Sequence, residues 1–245
     1  MPAIIDLHGG PEDVQNESFS PAAQAWVDHG FAFLSVNYRG STTFGQAFQE
    51  QIWGNLGHWE LQDMAAARAW LVEQGIAKSD QIFLTGWSYG GYLTLLGLGR
   101  QPELWAGGMA GAVISDWTAL YDDAADFIRG YLASIMGGTP GEKPEDYARS
   151  SPLSYAANVA APVLVIQGRN DVRTPSRQAE IYAEQLASLG KRVEVEWYDS
   201  GHAGAAMGTE LAIAHQQRML DFALEILKER DATAPIRQRA NRGSA

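Results

Sequence analysis

Ser88 stands in Gly86-Trp87-Ser88-Tyr89-Gly90-Gly91-Tyr92, between the apolar, β-prone run 81–85 and a stretch that reads as helix. A serine flanked by glycines at a strand-to-helix turn exposes its Oγ on a strained backbone, as a nucleophile requires. A serine hydroxyl attacks poorly at neutral pH unless a base takes its proton, and imidazole suits that exchange. Of the five histidines, His202 follows the last strand-like run in the glycine-flanked turn Asp199-Ser200-Gly201-His202-Ala203-Gly204. His29 reads as an exposed helix terminus, His215 as part of a solvated helix face, and His58 as a structural residue of an aromatic loop. The imidazole in turn needs an acid to fix its tautomer. Asp171 is preferred, in the polar loop 169–175 that ends the apolar run 161–168. Asp116 competes from the end of the run 107–115, a rarer placement, and Asp199 from a tight turn that leaves it little room to orient His202.

Those side chains have to be carried by strands and helices that bring them together. Strand-like runs at 2–7, 31–36, 81–85, 107–115, 161–168 and 193–198 alternate with helical stretches near 20–29, 59–74, 89–99, 176–189 and 209–230. This alternation predicts an α/β fold, a mostly parallel sheet with helices on both faces. Parallel strands put their carboxyl ends on one side, where Ser88, Asp171 and His202 each follow a strand. The order Ser, Asp, His is that of an α/β-hydrolase triad. Acyl transfer also needs donors for the developing oxyanion. The Tyr89 N–H, next after the nucleophile, is one candidate. Gly9 and Gly10 supply the other, in the corner His8-Gly9-Gly10-Pro11 after the first strand-like run, whose plainer reading is a turn.

Taken with Asn37-Tyr38-Arg39-Gly40-Ser41, these motifs resemble, in order, the catalytic domain of the prolyl oligopeptidase family of serine peptidases, and most of all its acylaminoacyl-peptidase branch. The resemblance runs from about Ile4 to about Leu227. It implies that Arg173, two residues after the acid, binds a backbone carbonyl of the substrate. It also implies that Trp117, Ile128 and Tyr131 wall a large apolar pocket for the acyl-side residue, Ile128 replacing a frequent aromatic; core packing is the plainer reading of all three. Members of the family carry a β-propeller ahead of the hydrolase domain, and run 2–7 matches the third strand of the family's sheet. The expectation is therefore a chain lacking the first two strands and the propeller, the catalytic part of a longer polypeptide. Otherwise run 31–36 is left as an unpaired apolar edge.

Composition sets further limits. Residues 1–231 suit one catalytic domain with a full core, and the Arg-rich, Pro-containing stretch 232–245 reads as a disordered tail. Net charge is −11, from 18 basic and 29 acidic residues, with no basic cluster in the folded part. Nucleic acid and anionic membranes are accordingly poor partners, and no segment is apolar enough to span a bilayer. The absence of cysteine excludes disulfides and thiolate chemistry and points to the cytoplasm. No cofactor or metal motif stands out. The expected function is hydrolysis of peptide or acyl-aminoacyl bonds of short peptides through an acyl-enzyme. A carboxylesterase would use the same triad, and a non-catalytic binding protein on this fold is disfavoured by the presence of all three triad members. A homo-oligomer and an N-terminal propeller are the macromolecular partners left open.

Overall fold

The computed structural model describes residues 1–202 and 208–240, with backbone alone for residues 127 and 233–240. In chain order the elements are β1 (Ala3–Leu7), α1 (Pro21–Asp28), β2 (Ala32–Val36), α2 (Gln46–Gln49), α3 (His58–Glu73), β3 (Ile82–Trp87), α4 (Tyr89–Arg100) and β4 (Gly107–Gly111). There follow α5 (Trp117–Asp123), α6 (Asp126–Met136), α7 (Pro144–Ser150), β5 (Val163–Gly168), α8 (Arg177–Ser188), β6 (Val193–Tyr198) and α9 (Thr209–Ala240).

All six strands pair in parallel in the order β2-β1-β3-β4-β5-β6. The period-2 alternation of each strand divides its side chains between two cores. Ile5, Leu84 and Val165 face α3, α4 and α8, whereas Ile4, Phe83 and Leu164 face α1 and α9 through Trp26, Leu220, Phe222 and Ile226. Strands buried on both faces must be apolar throughout, which is why β3 and β5 read as continuous hydrophobic runs. The chain leaves β1 outward to β2 and returns on the other side to β3, so the strand order switches direction between β1 and β3. The crevice at that switch point, beyond the carboxyl ends, is where an open parallel sheet offers a site.

Two stretches of α9 differ from the sequence reading. His215 was expected on a solvated face but is 5% exposed, with its ring 5.8 Å from that of Trp87 and 4.8 Å from that of Tyr198. The reason is the stripe 215, 219, 222, 226, whose helical spacing turns His215 to the sheet while Gln217, two residues on, faces out. The backbone of α9 also stays helical to Ala240, beyond Ala232 where an unstructured tail was expected. Residues 241–245 of that expected tail lie outside the described residues. Among those described, no helix is long and apolar enough to cross a membrane.

Candidate active site

Ser88 joins β3 to α4 with φ 59° and ψ −117°, a left-handed conformation that a non-glycine residue adopts only when its surroundings impose it. The surroundings do so at close range. Ser88 N–H donates to the Gly111 carbonyl and Tyr92 N–H to the Ser88 carbonyl, both at 2.9 Å. A Cβ on Gly86 would lie 2.7 Å from the Leu7 carbonyl, and one on Gly90 would run into the same oxygen. The turn therefore seats against the end of β1 only with glycine at both positions, and Ser88 Oγ is left half-buried at the mouth of a cavity.

His202 Nε2 lies 3.1 Å from Ser88 Oγ, and its Nδ1 lies 2.8 Å from Asp171 Oδ2. The three residues follow β3, β5 and β6, whose carboxyl ends share one edge because the sheet is parallel. Asp171 is held by more than His202. Its Oδ1 accepts the Arg173 and Thr174 N–H groups, each at 2.9 Å, and its Oδ2 accepts the Thr174 hydroxyl at 2.9 Å. Gln167 fastens the same loop from β5 by donating to the Thr174 carbonyl at 2.8 Å. Burial works against the charge on Asp171. The hydrogen bonds from His202, Thr174 and Arg173 outweigh it and hold the carboxyl below the usual aspartate range. The competing acids stand elsewhere: Asp116 Oδ1 caps α5 by accepting from Thr118 and Ala119, and Asp199 is exposed beside Arg169. Ala203 and Gly204, the rest of the histidine turn, lie outside the described residues.

Tyr89 is the first residue of α4, so its N–H is among the donors a helix leaves without an intrahelical acceptor, and the residue lines the cavity beside Ser88 and Gly10. Gly9 abuts the nucleophile, since a Cβ there would lie 3.4 Å from Ser88 Cβ. The corner they form is held by the Asn37–Ser41 motif. Tyr38 donates to the His8 carbonyl at 2.8 Å, and Ser41 Oγ lies 2.8 Å from His8 Nε2. Burial keeps the His8 imidazole below its usual pKa, so its part in the corner is to stack on Tyr38 at 4.3 Å as a neutral ring.

The cavity holds about 600 Å³. Trp117, Ile128 and Tyr131 line it together with Ile114, Leu120, Leu132 and Ile135, which sequence reasoning did not single out. Trp117 is also core, 3% exposed and packed edge-on to Tyr92 at 5.0 Å. Arg173 borders the cavity, exposed, and among the described residues its guanidinium pairs with no carboxylate. No group of His, Asp and Glu side chains among the described residues is placed to hold a metal ion.

One buried acid went unnoticed in the sequence, although the spacing Gly57-x-x-Glu60 is a capping pattern that could have flagged it. Glu60 is wholly buried, and its Oε1 accepts the Tyr89 hydroxyl at 2.6 Å and the Gly57 N–H at 3.0 Å. Burial, only partly countered by those bonds, pushes its carboxyl up from an ordinary 4.5 to about 7. The folded protein therefore keeps a proton that the unfolded chain releases near pH 4.5, and stability contributed by this site falls as pH rises through that window. The non-titrating variant Glu60→Gln should gain melting temperature relative to wild type between pH 5 and pH 8, about the span of that titration. A difference that stays constant over this interval would contradict the assignment.

A family model described as the prolyl oligopeptidase family matches residues 17–230. The dipeptidyl aminopeptidase BIII of Pseudoxanthomonas mexicana is 33% identical over 215 residues, 84% of this chain and 30% of that protein. Among solved structures, the Pyrococcus horikoshii acylaminoacyl peptidase superposes with a TM-score of 0.82 at 28% identity, over 93% of this chain and 37% of its own. A Mycobacterium tuberculosis puromycin-hydrolyzing peptidase gives 0.78 at 30% identity, over 82% and 31%. The chain spans 26 to 30% of the length of the curated relatives it matches first.

Proposed function

Because the chain belongs to the prolyl oligopeptidase family of serine peptidases, we propose that Ser88 is its nucleophile and that it cleaves peptide or acyl-aminoacyl bonds through an acyl-enzyme. Ser88 Oγ attacks the scissile carbonyl while His202 Nε2 takes its proton, and Asp171 steadies the imidazolium at Nδ1. The carbonyl oxygen becomes an oxyanion received by the Tyr89 N–H and by the Gly9–Gly10 corner. His202 then passes the proton to the leaving amine, and water repeats the sequence on the ester to free the acid and Ser88. The observation that carries this reading is the unbroken row Asp171, His202, Ser88, with contacts of 2.8 and 3.1 Å, opening on a cavity of about 600 Å³. Residues 1–231 act as one catalytic domain in this account.

The substrate is a short peptide whose acyl-side residue is large and apolar. The aliphatic and aromatic wall formed by Ile114, Trp117, Leu120, Ile128 and Ile135 supports that choice, because only an apolar group gains from displacing water there. The names of the relatives, a dipeptidyl aminopeptidase, an acylaminoacyl peptidase and a puromycin-hydrolyzing peptidase, support a peptidase reading. Access restricted to short peptides by a propeller or an oligomeric partner, and a cytoplasmic setting, complete the proposal.

Arg173 separates a peptidase from an esterase on the same triad. Its guanidinium is within reach of a peptide carbonyl in the acyl portion, a group that a small ester does not have. Arg173→Ala should cost an acyl-peptide anilide about 1.5 to 3 kcal/mol in kcat/KM, the range for a hydrogen bond to a charged group, and p-nitrophenyl acetate much less. Melting temperature serves as the control. Equal losses on both substrates would refute the anchoring role and favour the esterase.

A further inference from the structure

The first turns of α3 contact residues on both segments that carry the candidate oxyanion donors. On one side Glu60 holds the phenol of Tyr89. On the other, Asp63 accepts from Arg39 at Nε (3.0 Å), Nη2 (2.6 Å) and the backbone N–H (2.8 Å). Arg39 follows Tyr38, whose hydroxyl holds the His8 carbonyl immediately before Gly9 and Gly10.

Glu60 is an expensive way to make half of this frame. Its neighbours are the phenols of Tyr38, Tyr89 and Tyr92, with Asp63 one turn along the helix, and the cation that acts on it, Arg39, is already paired with Asp63. Its Oε2 is sealed from solvent and has no protein partner among the described residues. A buried carboxyl so placed is costly, and an aliphatic residue of similar volume would fill the space without that cost. The Gly57 N–H takes one of its bonds, at 3.0 Å, and the shorter one, at 2.6 Å, comes from the Tyr89 hydroxyl. The partner that does require a strong acceptor is the Tyr89 hydroxyl, and Tyr89 carries the main-chain N–H beside Ser88. A side chain locked at its far end restrains the backbone that carries it.

We propose that Glu60 is a positioning residue for catalysis: by gripping the Tyr89 phenol it holds the Tyr89 N–H where the oxyanion forms. The inference rests on the acyl-transfer reading of Ser88. It places the benefit in the transition state rather than in substrate binding.

The test compares Tyr89→Phe, Glu60→Leu, the double variant and Glu60→Gln with wild type. It measures kcat and KM on an acyl-peptide anilide, and the affinity of a peptidyl trifluoromethyl ketone that mimics the tetrahedral intermediate. Tyr89→Phe and Glu60→Leu should each lower kcat about ten- to a hundredfold, with KM changed less than about twofold. The ketone should weaken in step with kcat/KM. The double variant should be no worse than the poorer single one, and Glu60→Gln should recover most of the loss because its amide oxygen still accepts the phenol. Tyr89→Phe removes a single oxygen and keeps the test decisive even where Glu60→Leu does not fold. Wild-type kcat and ketone affinity in folded Tyr89→Phe would overturn the proposal, as would equal losses in Glu60→Gln and Glu60→Leu. Ser88→Ala measured alongside distinguishes the two levels: if it is inert, such results defeat the positioning role alone, and if it turns over, the acyl-transfer reading itself has failed.

Discussion

Ser88→Ala should reduce turnover of every acyl substrate by about a millionfold, the scale on which removing the nucleophile of a working triad is felt. The residual rate, carried by oxyanion donors and binding alone, should not respond to further replacement of His202, because the three residues act as one device. The fold should survive. Ser88 Oγ makes its contact with His202 at 3.1 Å and lies at the cavity mouth, so its loss empties no core volume. The backbone bonds to Gly111 and from Tyr92 that shape the turn do not involve the side chain. Kinetics on an acyl-peptide anilide together with circular dichroism and melting temperature check both halves of this expectation. Activity within a hundredfold of wild type in a purified, folded variant would remove Ser88 from the mechanism.

The second large effect belongs to Asp171→Asn, which changes one atom and keeps the shape. Asp171 Oδ1 accepts two backbone N–H groups, from Arg173 and Thr174, so an asparagine at this position must turn its oxygen toward them. Its amide nitrogen then faces His202 Nδ1 and donates to it. The imidazole is forced to carry its proton on Nε2, the atom that should receive the proton of Ser88. A loss of about ten-thousandfold in kcat is expected, as for other triads held in the wrong tautomer. Binding of a ground-state product analogue should change little. A loss smaller than about tenfold would mean that the contact of His202 with Asp171 does not set the tautomer.

Much of the architecture could be read from local patterns. Strands β3 and β5 are bounded apolar runs, α4 begins at a glycine-flanked serine, and α8 shows a helical stripe between polar caps, so period and punctuation suffice. The neighbourhood of Ser88, Asp171 and His202 follows from one more inference, that parallel strands end together. What lay beyond this reading depends on partners distant in sequence. Glu60 looks like an ordinary helix-capping acid until Tyr89, 29 residues later, is seen to donate to it. His215 has polar residues after it, and only the sheet packed beneath α9 turns it inward. The lining by Ile114, Leu132 and Ile135 comes from α6 and the loop after β4 folding over the carboxyl edge, where apolar residues look the same whether they face a core or a cavity.

Covalent capture shows whether Ser88 is an activated nucleophile in this chain. The protein should be incubated with an alkyl fluorophosphonate at neutral pH, its intact mass measured, and the modified peptide mapped. A single adduct is expected, located on Ser88, absent from Ser88→Ala and strongly slowed in Asp171→Asn. A folded wild-type protein that takes up no adduct, or carries it on another residue, would contradict this role for Ser88.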